Sequence, residues 1–329
     1  MAWWKVALII IAALFVLLNA LVIFVANVQI DMFLKPGSYW WSKAGWDTSE
    51  RVPKDEFEKR EIENEKAVRQ RACEWHASSV HEDWYEISDD DLKLHAVFYP
   101  SGEQDSHLWA VCIHGYRGTL ENIQCYGVHF AAKGYNVLLP ENRTSGQSEG
   151  TYIGMGWLDK NDILLWLNRI VEKDSEAKIV LLGESMGSAA VMMTSGQKVP
   201  SNLKCIVSDC GYTSVWNQFA YIMNNSMPLK PFPFLYAASL FSKIRLGYGF
   251  KQASSTAQLA KSVTPTIFMH GEIDDFVPPF MVKQNYEALK LSDDKKEMHI
   301  FPHASHCQSQ FYDEELYWNT VWNFVEKFL

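Results

Sequence analysis

The sequence predicts an α/β fold: a mostly parallel, doubly wound sheet with an inserted helical cap and an N-terminal transmembrane helix. Three observations support this prediction. Short apolar runs alternate with helix-like stretches, a serine stands in a tight glycine turn after one such run, and a long uncharged run lies near the N-terminus. Alternation of strand and helix indicates parallel pairing, because parallel neighbours need a crossover connection.

The predicted strands are short and apolar, and helical periodicity separates most of them. They are residues 84–88, 92–99, 108–113, 136–140, 178–182, 203–207, 266–269 and 298–301. The predicted helices of this region are residues 122–133, 157–171, 188–194 and 314–328. The first two strands follow one another directly, and the alternation begins after them.

The composition excludes several classes of protein. The chain has 329 residues, 48% hydrophobic and 21% charged, so it can bury a substantial core and is not disordered. A net charge of −9 argues against nucleic acid as a partner, since phosphate binding needs an excess of cations. None of the six cysteines forms a CxxC pair, which argues against a zinc ribbon, and the count requires no disulfide.

The uncharged run lies between Lys5 and Asp31. As a helix, residues 6–26 would reach roughly 31 Å, which matches a hydrocarbon core of about 30 Å. We interpret residues 1–30 as an uncleaved single-pass membrane anchor; a cleaved signal peptide and a buried helix are the alternatives. Lysines on both sides leave the orientation open, and the general behaviour of N-terminal anchors favours an extracytoplasmic location for the rest of the chain.

Two further boundaries follow from changes in composition. Residues 31–80 are predicted as a juxtamembrane segment and a charged, solvated helical linker. Residues 81–329 are predicted as the globular α/β domain. Within it, residues 212–260 are too long and too apolar for an ordinary connection, which indicates an inserted helical cap.

A G-x-S-x-G motif centres on Ser185. The pattern is weak alone, but it directly follows the apolar run 179–182 and precedes a helix of small residues, 188–190. Gly183 and Gly187 permit a tight turn that presents the serine hydroxyl above the sheet. Ser185 is therefore the predicted nucleophile.

A serine hydroxyl needs a base to remove its proton. His306 lies in the loop between the last strand and the terminal helix, where it can reach Ser185, and it is the predicted base. His303 is the competitor. A metal-binding interpretation of His303, His306 and Cys307 lacks a further ligand cluster, so we predict no metal.

The base in turn needs an orienting carboxylate. Asp274 falls in the turn after the strand 266–269 and is the predicted acid. Asp209, at the end of the strand 203–207, is its main rival, and two neighbours of Asp274 would also serve on the sequence alone: Glu272 and Asp275. The order serine, acid, histidine, each member after a strand, is that of α/β-hydrolases.

Across residues 84–329 the sequence resembles the α/β-hydrolase superfamily, especially bacterial serine esterase and peptidase-like members known as cell-surface hydrolases. The matching segments are residues 114–119 (HGYRGT), 141–148 (ENRTSGQS), 183–187 (GESMG) and 270–278 (HGEIDDFVP). The second departs from the usual D-x-R-G-x-G run: Glu141 leads, and Thr144 and Ser145 replace the expected residues. The shape of that loop is therefore less certain than the triad.

The resemblance implies an oxyanion hole made by the backbone N–H groups of Tyr116 and Met186, which suits acyl transfer. Aromatic residues at the start of the cap predict an apolar substrate pocket: Tyr212, Trp216 and Phe219. Taken singly, each of these residues is as well explained by packing of the cap.

The sequence thus predicts a membrane-bound serine hydrolase that cleaves carboxylic esters of apolar acyl or aromatic groups through an acyl-enzyme. A small-molecule ester and the membrane are the predicted partners, no cofactor is expected, and the oligomeric state is not predicted. A peptidase or amidase with the same triad is the nearest alternative. A noncatalytic, membrane-bound binding protein on the same scaffold is the second, since fold alone does not determine function.

Overall fold

A computed structural model describes residues 2–44 and 52–329. Within them, eight strands form one sheet in the order β1-β2-β4-β3-β5-β6-β7-β8. The strands are β1 Glu82–Ile87, β2 Lys93–Tyr99, β3 Leu108–Ile113, β4 Asn136–Pro140, β5 Lys178–Glu184, β6 Leu203–Asp209, β7 Thr266–Gly271 and β8 Lys296–Phe301. The helices are α1 Trp3–Leu34, α2 Tyr39–Ser42, α3 Glu56–Ser78, α4 Leu120–Ala131, α5 Asp159–Lys173, α6 Met186–Ser195, α7 Val215–Ser226, α8 Pro231–Leu246, α9 Ser255–Leu259, α10 Phe280–Ala288, α11 Ser309–Tyr312 and α12 Glu314–Val325.

The sheet is mostly parallel. Strand β2 pairs antiparallel with both β1 and β4, and the other pairs are parallel. Alternate residues of β5 enter two different hydrophobic cores: Val180 and Leu182 one, Ile179 and Leu181 the other. A strand covered on both faces must be apolar throughout, which explains the continuous runs in the sequence. The predicted α/β, doubly wound fold class is confirmed.

The strand order places a crevice at β3. From β3 the chain moves outward to β4 and then returns to place β5 on the other side of β3. Loops leaving the carboxyl ends of β3 and β5 therefore diverge, and ligands of open α/β sheets bind at such a switch point. The loop after β3 carries the HGYRGT segment, and the loop after β5 carries Ser185.

Helix α3 differs from the solvated linker that the charge pattern suggests. It carries the expected i,i+4 ion pair, Arg69–Glu65 at 2.7 Å. On its other face Val68 and Ala72 are fully buried in the core that also contains residues of α4 and α12. Asn64 donates a hydrogen bond to the Phe311 carbonyl in α11. The helix thus packs as part of the sheet-containing unit.

The chain divides into two compact units. One consists of residues 2–44 with 216–252, and the other of residues 52–215 with 253–329. The predicted insertion, residues 212–260, therefore lies only in part with the first unit, and helix α1 runs to Leu34, beyond the predicted anchor. The domain boundaries themselves stay a prediction.

In the first unit, the C-terminal part of α1 packs against α7 and α8. Asp31 pairs with Arg245 at 2.9 Å, and the Phe33 ring lies 6.0 Å from that of Phe219. Together these helices enclose an apolar cavity of about 380 Å³, lined among others by Ile30 and Met223. The preceding part of α1 is exposed and apolar, and it is the one helix of the described chain long and apolar enough to cross a membrane.

Helix α12 packs against α4 through a partly buried histidine. The ring of His129 stacks on Trp318 with centroids 4.1 Å apart. Burial, together with the charge of Arg71, lowers the pKa of His129 to about 3. The folded protein therefore keeps this ring neutral at pH values where an unfolded chain protonates it.

We expect stability to fall as the pH drops from about 6.5 towards 3, by up to about 1.4 kcal/mol per pH unit from this group, because only the unfolded state takes up the proton. His129→Gln should flatten that slope. Urea unfolding between pH 7 and 4 measures the slopes. Equal slopes in the wild type and His129→Gln would contradict this account.

Candidate active site

Ser185 occupies a strained turn between β5 and α6. Its φ of 53° and ψ of −113° lie outside the helical and extended regions, which is rare for a residue with a side chain. The neighbouring glycines make the turn possible. A Cβ on Gly183 would lie 2.4 Å from the Gly187 carbonyl oxygen, and one on Gly187 would lie 2.1 Å from that of Ile113. The predicted tight turn is therefore present, and its tightness explains both glycines.

Three predicted side chains form a continuous hydrogen-bonded chain. Ser185 Oγ lies 2.8 Å from His306 Nε2, and His306 Nδ1 lies 2.7 Å from Asp274 Oδ2. The other carboxylate oxygen, Asp274 Oδ1, accepts from the backbone N–H groups of Phe276 and Val277. This arrangement holds the imidazole with one nitrogen towards the hydroxyl, as proton transfer from a serine requires.

Asp274 is ionised in this setting. Burial alone would raise its pKa, but hydrogen bonding to His270 and His306 holds the pKa well below the usual range. The carboxylate has no exposed side-chain surface. A buried negative charge beside Nδ1 stabilises the imidazolium that forms when His306 takes a proton.

The alternative acids and the alternative histidine lie outside the hydrogen-bonded chain of Ser185, His306 and Asp274. Asp209 accepts hydrogen bonds from the hydroxyls of Tyr126 and Tyr317, and burial raises its pKa well above the usual range. The ring of His303 stacks on Phe57 at 4.3 Å. Glu272 and Asp275 are both exposed.

Two thiols lie against His306, and only one of them, Cys307, is adjacent to it in the sequence. Cys210 Sγ and Cys307 Sγ are 3.5 Å apart, and each lies within 4.8 Å of a ring nitrogen of His306. Burial would raise the pKa of Cys210, but hydrogen bonding from Cys307 and the charge of His306 lower it well below its usual value. One signal was available in the sequence: both residues follow strands whose carboxyl ends share an edge of the sheet.

The loop after β3 is held by His114. Its Nε2 accepts from the Asn142 backbone N–H at 3.0 Å, so the proton is on Nδ1, which donates to the Gly115 carbonyl at 2.9 Å. A Cβ on Gly115 would lie 3.3 Å from Ser185 Cβ, which places this loop directly beside the serine. Because C=O and N–H point in opposite directions across a trans peptide, the Tyr116 N–H is directed away from the His114 ring.

The segment 141–148, which departs from the usual D-x-R-G-x-G run, forms a turn held by hydrogen bonds and ion pairs. Glu141 Oε2 lies 2.8 Å from His95 Nδ1 and accepts from the Gln147 N–H. Arg143 makes ion pairs with both Asp90 and Asp162. Glu141, which stands in place of the usual aspartate, and Arg143 therefore close the turn through their own contacts.

The three predicted pocket residues lie in different surroundings. Tyr212 is buried, and its hydroxyl donates to the Met155 carbonyl at 2.9 Å. Trp216 packs on Tyr236 within the insertion, and Phe219 lines the apolar cavity of the first unit. These contacts explain each residue by packing, and a substrate pocket built from them stays a prediction.

Comparison with known proteins agrees with this geometry. The model of the prolyl oligopeptidase family matches residues 128–329. Among curated proteins the chain is 26% identical over 229 residues, 69% of this chain and 74% of the relative, to the uncharacterized protein YqkD of Bacillus subtilis.

Two solved structures show the same fold. The esterase Pf2001 of Pyrococcus furiosus gives a TM-score of 0.63 at 21% identity, covering 77% of this chain and 93% of that one. The acylaminoacyl peptidase of Pyrococcus horikoshii gives 0.56 at 16% identity, covering 79% of this chain and 44% of that one. The predicted α/β-hydrolase fold is confirmed.

We expect Asp274→Asn to slow the reaction of Ser185 with a fluorophosphonate probe by about 10³–10⁴-fold, because the amide favours the wrong tautomer of His306. Asp209→Asn is the matched control: a carboxyl bonded to Tyr126 and Tyr317 is replaced by an amide of equal size, and the rate should change little. Stopped-time labelling followed by gel fluorescence measures both. A larger loss from Asp209→Asn would reverse the assignment of the acid.

Proposed function

The chain belongs to the prolyl oligopeptidase family and is a serine hydrolase of the α/β class, and on that premise we propose that it cleaves carboxylic esters of apolar acyl or aromatic groups. The observation that carries the proposal is the hydrogen-bonded chain from Ser185 through His306 to Asp274. Each distance lies within the range for direct proton transfer.

In the first half of the reaction, Ser185 Oγ attacks the ester carbonyl carbon while its proton passes to His306 Nε2. Asp274 stabilises the resulting imidazolium. The tetrahedral intermediate collapses, the alcohol leaves with the proton from His306, and the acyl group stays on Ser185. In the second half, water gives a proton to His306 and attacks the acyl carbon. The second tetrahedral intermediate collapses, the acid is released, and His306 returns the proton to Ser185 Oγ.

The developing oxyanion needs donors fixed in advance. We assign these to the backbone N–H groups of Met186, the first residue of α6, and Tyr116. The first N–H groups of a helix have no partner within it, and the helix dipole favours negative charge there. The hydrogen bond from His114 to the Gly115 carbonyl supports the assignment of Tyr116, because it fixes the intervening peptide.

The principal alternative is a peptidase or amidase, and the name of the family favours it. Esters and amides share every step above, but an amine leaves less readily than an alkoxide. The preference for esters or amides therefore depends on how well the site protonates the leaving group. The second alternative is a noncatalytic binding protein. It would not explain why a serine in a strained turn is hydrogen-bonded to a histidine.

We expect Ser185→Ala to lower kcat/KM for p-nitrophenyl butyrate by more than about 10³-fold, since the nucleophile is lost. Ser188→Ala is the matched control, because that hydroxyl is buried against Ser208. Aminoacyl-p-nitroanilides are tested in parallel. Higher kcat/KM for the anilides would identify a peptidase, and no difference between Ser185→Ala and the wild type would exclude catalysis by this triad.

We further propose that α1 anchors the protein in a membrane, with the sheet-containing unit outside the cytoplasm. The 18-residue apolar window of α1 has no buried residue, so lipid is the environment that suits it. Asp31 is the first acidic residue after the run, and its pairing with Arg245 suits the boundary between lipid and water.

Leu14→Arg with Leu18→Arg should release the protein from carbonate-washed membranes, because each charge at mid-span costs about 2.5–3.5 kcal/mol. The paired Leu14→Ile and Leu18→Ile changes should leave it bound. Protease added outside intact cells should digest the sheet-containing unit. A mature protein lacking α1 would indicate a cleaved signal peptide, and complete protection would place the unit inside.

A further inference from the structure

We propose that Cys210, Cys307 and His306 form an inhibitory site for a thiophilic divalent cation of the zinc class. Binding rests on these residues alone, whereas its effect on activity rests on the proposed function, in which His306 is the base. The site is distinct from the reaction itself, which uses neither sulfur.

The three donor atoms already lie close enough to share one ion. The two sulfurs are 3.5 Å apart, and all three ligand atoms lie within 4.8 Å of one another. Zinc binds sulfur at about 2.3 Å and imidazole nitrogen at about 2.0–2.1 Å, so neighbouring ligands of one ion stand about 3.5–4 Å apart. Small side-chain rotations would complete the set, with water or Ser185 Oγ in the fourth position.

The charge of such a complex suits its surroundings. Cys210 is fully buried, whereas Cys307 and His306 are only partly so, which leaves an approach for the ion. On binding, the three ligands together release two protons to solvent, and two thiolates neutralise the two positive charges of the cation. A neutral cluster avoids the cost of burying a net charge.

The groups around the three ligands are those that support a metal site. Asp274 Oδ2 is bonded to His306 Nδ1, and a carboxylate on the second nitrogen of a ligating histidine is the usual arrangement. The half-buried side chain of Glu184 is hydrogen-bonded to Cys307. Thiolate pairs also discriminate against magnesium and calcium, which prefer oxygen ligands.

Occupation of this site removes the base from the reaction. The ring of His306 has two nitrogens, one bonded to Ser185 and the other to Asp274. Whichever nitrogen the ion takes, one of these bonds is lost and the lone pair that accepts the serine proton is no longer available. The enzyme would then be reversibly inactive until a chelator removed the ion.

The test uses the full chain in detergent with a phosphine reductant, so that both thiols stay reduced. Equilibrium dialysis with Zn²⁺ should give one tight site on Ser185→Ala, a protein without the nucleophile. Cys210→Ser and Cys307→Ser should each weaken that site by at least about 10-fold, since each removes a ligand. Cys73→Ser, at an exposed cysteine of α3, is the matched control and should bind like the parent protein.

Activity provides the second measurement. Zn²⁺ should inhibit ester hydrolysis at the concentrations that fill the site, EDTA should restore it, and Mg²⁺ should not inhibit. Each variant is compared with its own metal-free rate. Binding unchanged in both cysteine variants, or a tight site filled without inhibition of an active enzyme, would overturn the proposal. A metal-free wild type without hydrolase activity would instead refute the proposed function, and dialysis would still test the site.

Discussion

The close approach of two backbone segments at the end of β3 determines the rest of the site. Gly187 lies against the Ile113 carbonyl with no space for a side chain, and this contact forces the turn that holds Ser185 at a positive φ. Ser185 also receives support from the neighbouring strand, since its N–H donates to the Asp209 carbonyl at 2.8 Å. The surrounding sheet thus stabilises a conformation that an isolated chain would leave.

His306 is the point at which the chemistry of the site converges. It receives Ser185 on one nitrogen and Asp274 on the other, and it stands beside two thiols that come from different strands. The same imidazole is therefore the proposed base and the proposed metal ligand, so the two roles compete.

Local features of this site could be predicted from the sequence, whereas choices among distant partners could not. The turn at Ser185 is encoded by five consecutive residues. The choice of Asp274 over Asp209 depends on Tyr126 and Tyr317, which reach Asp209 from helices on distant parts of the chain. The proximity of Cys210 and Cys307, which are 97 residues apart, likewise depends on the pairing of distant strands and on no local pattern. Charge patterning likewise could not show that α3 buries one face, because the two apolar residues that it buries fully, Val68 and Ala72, are small.

The packing of α1 on the insertion affects how a soluble version of this enzyme can be made. Ile30 and Leu34 have only 1% of their surface exposed, and their partners on α7 and α8 include Met223 and Leu235. A chain trimmed after the hydrophobic run, near residue 45, would leave those partners facing water and prone to self-association. Replacing the exposed apolar positions of α1 by polar residues, while its last two turns are kept, would favour a soluble protein without exposing that surface.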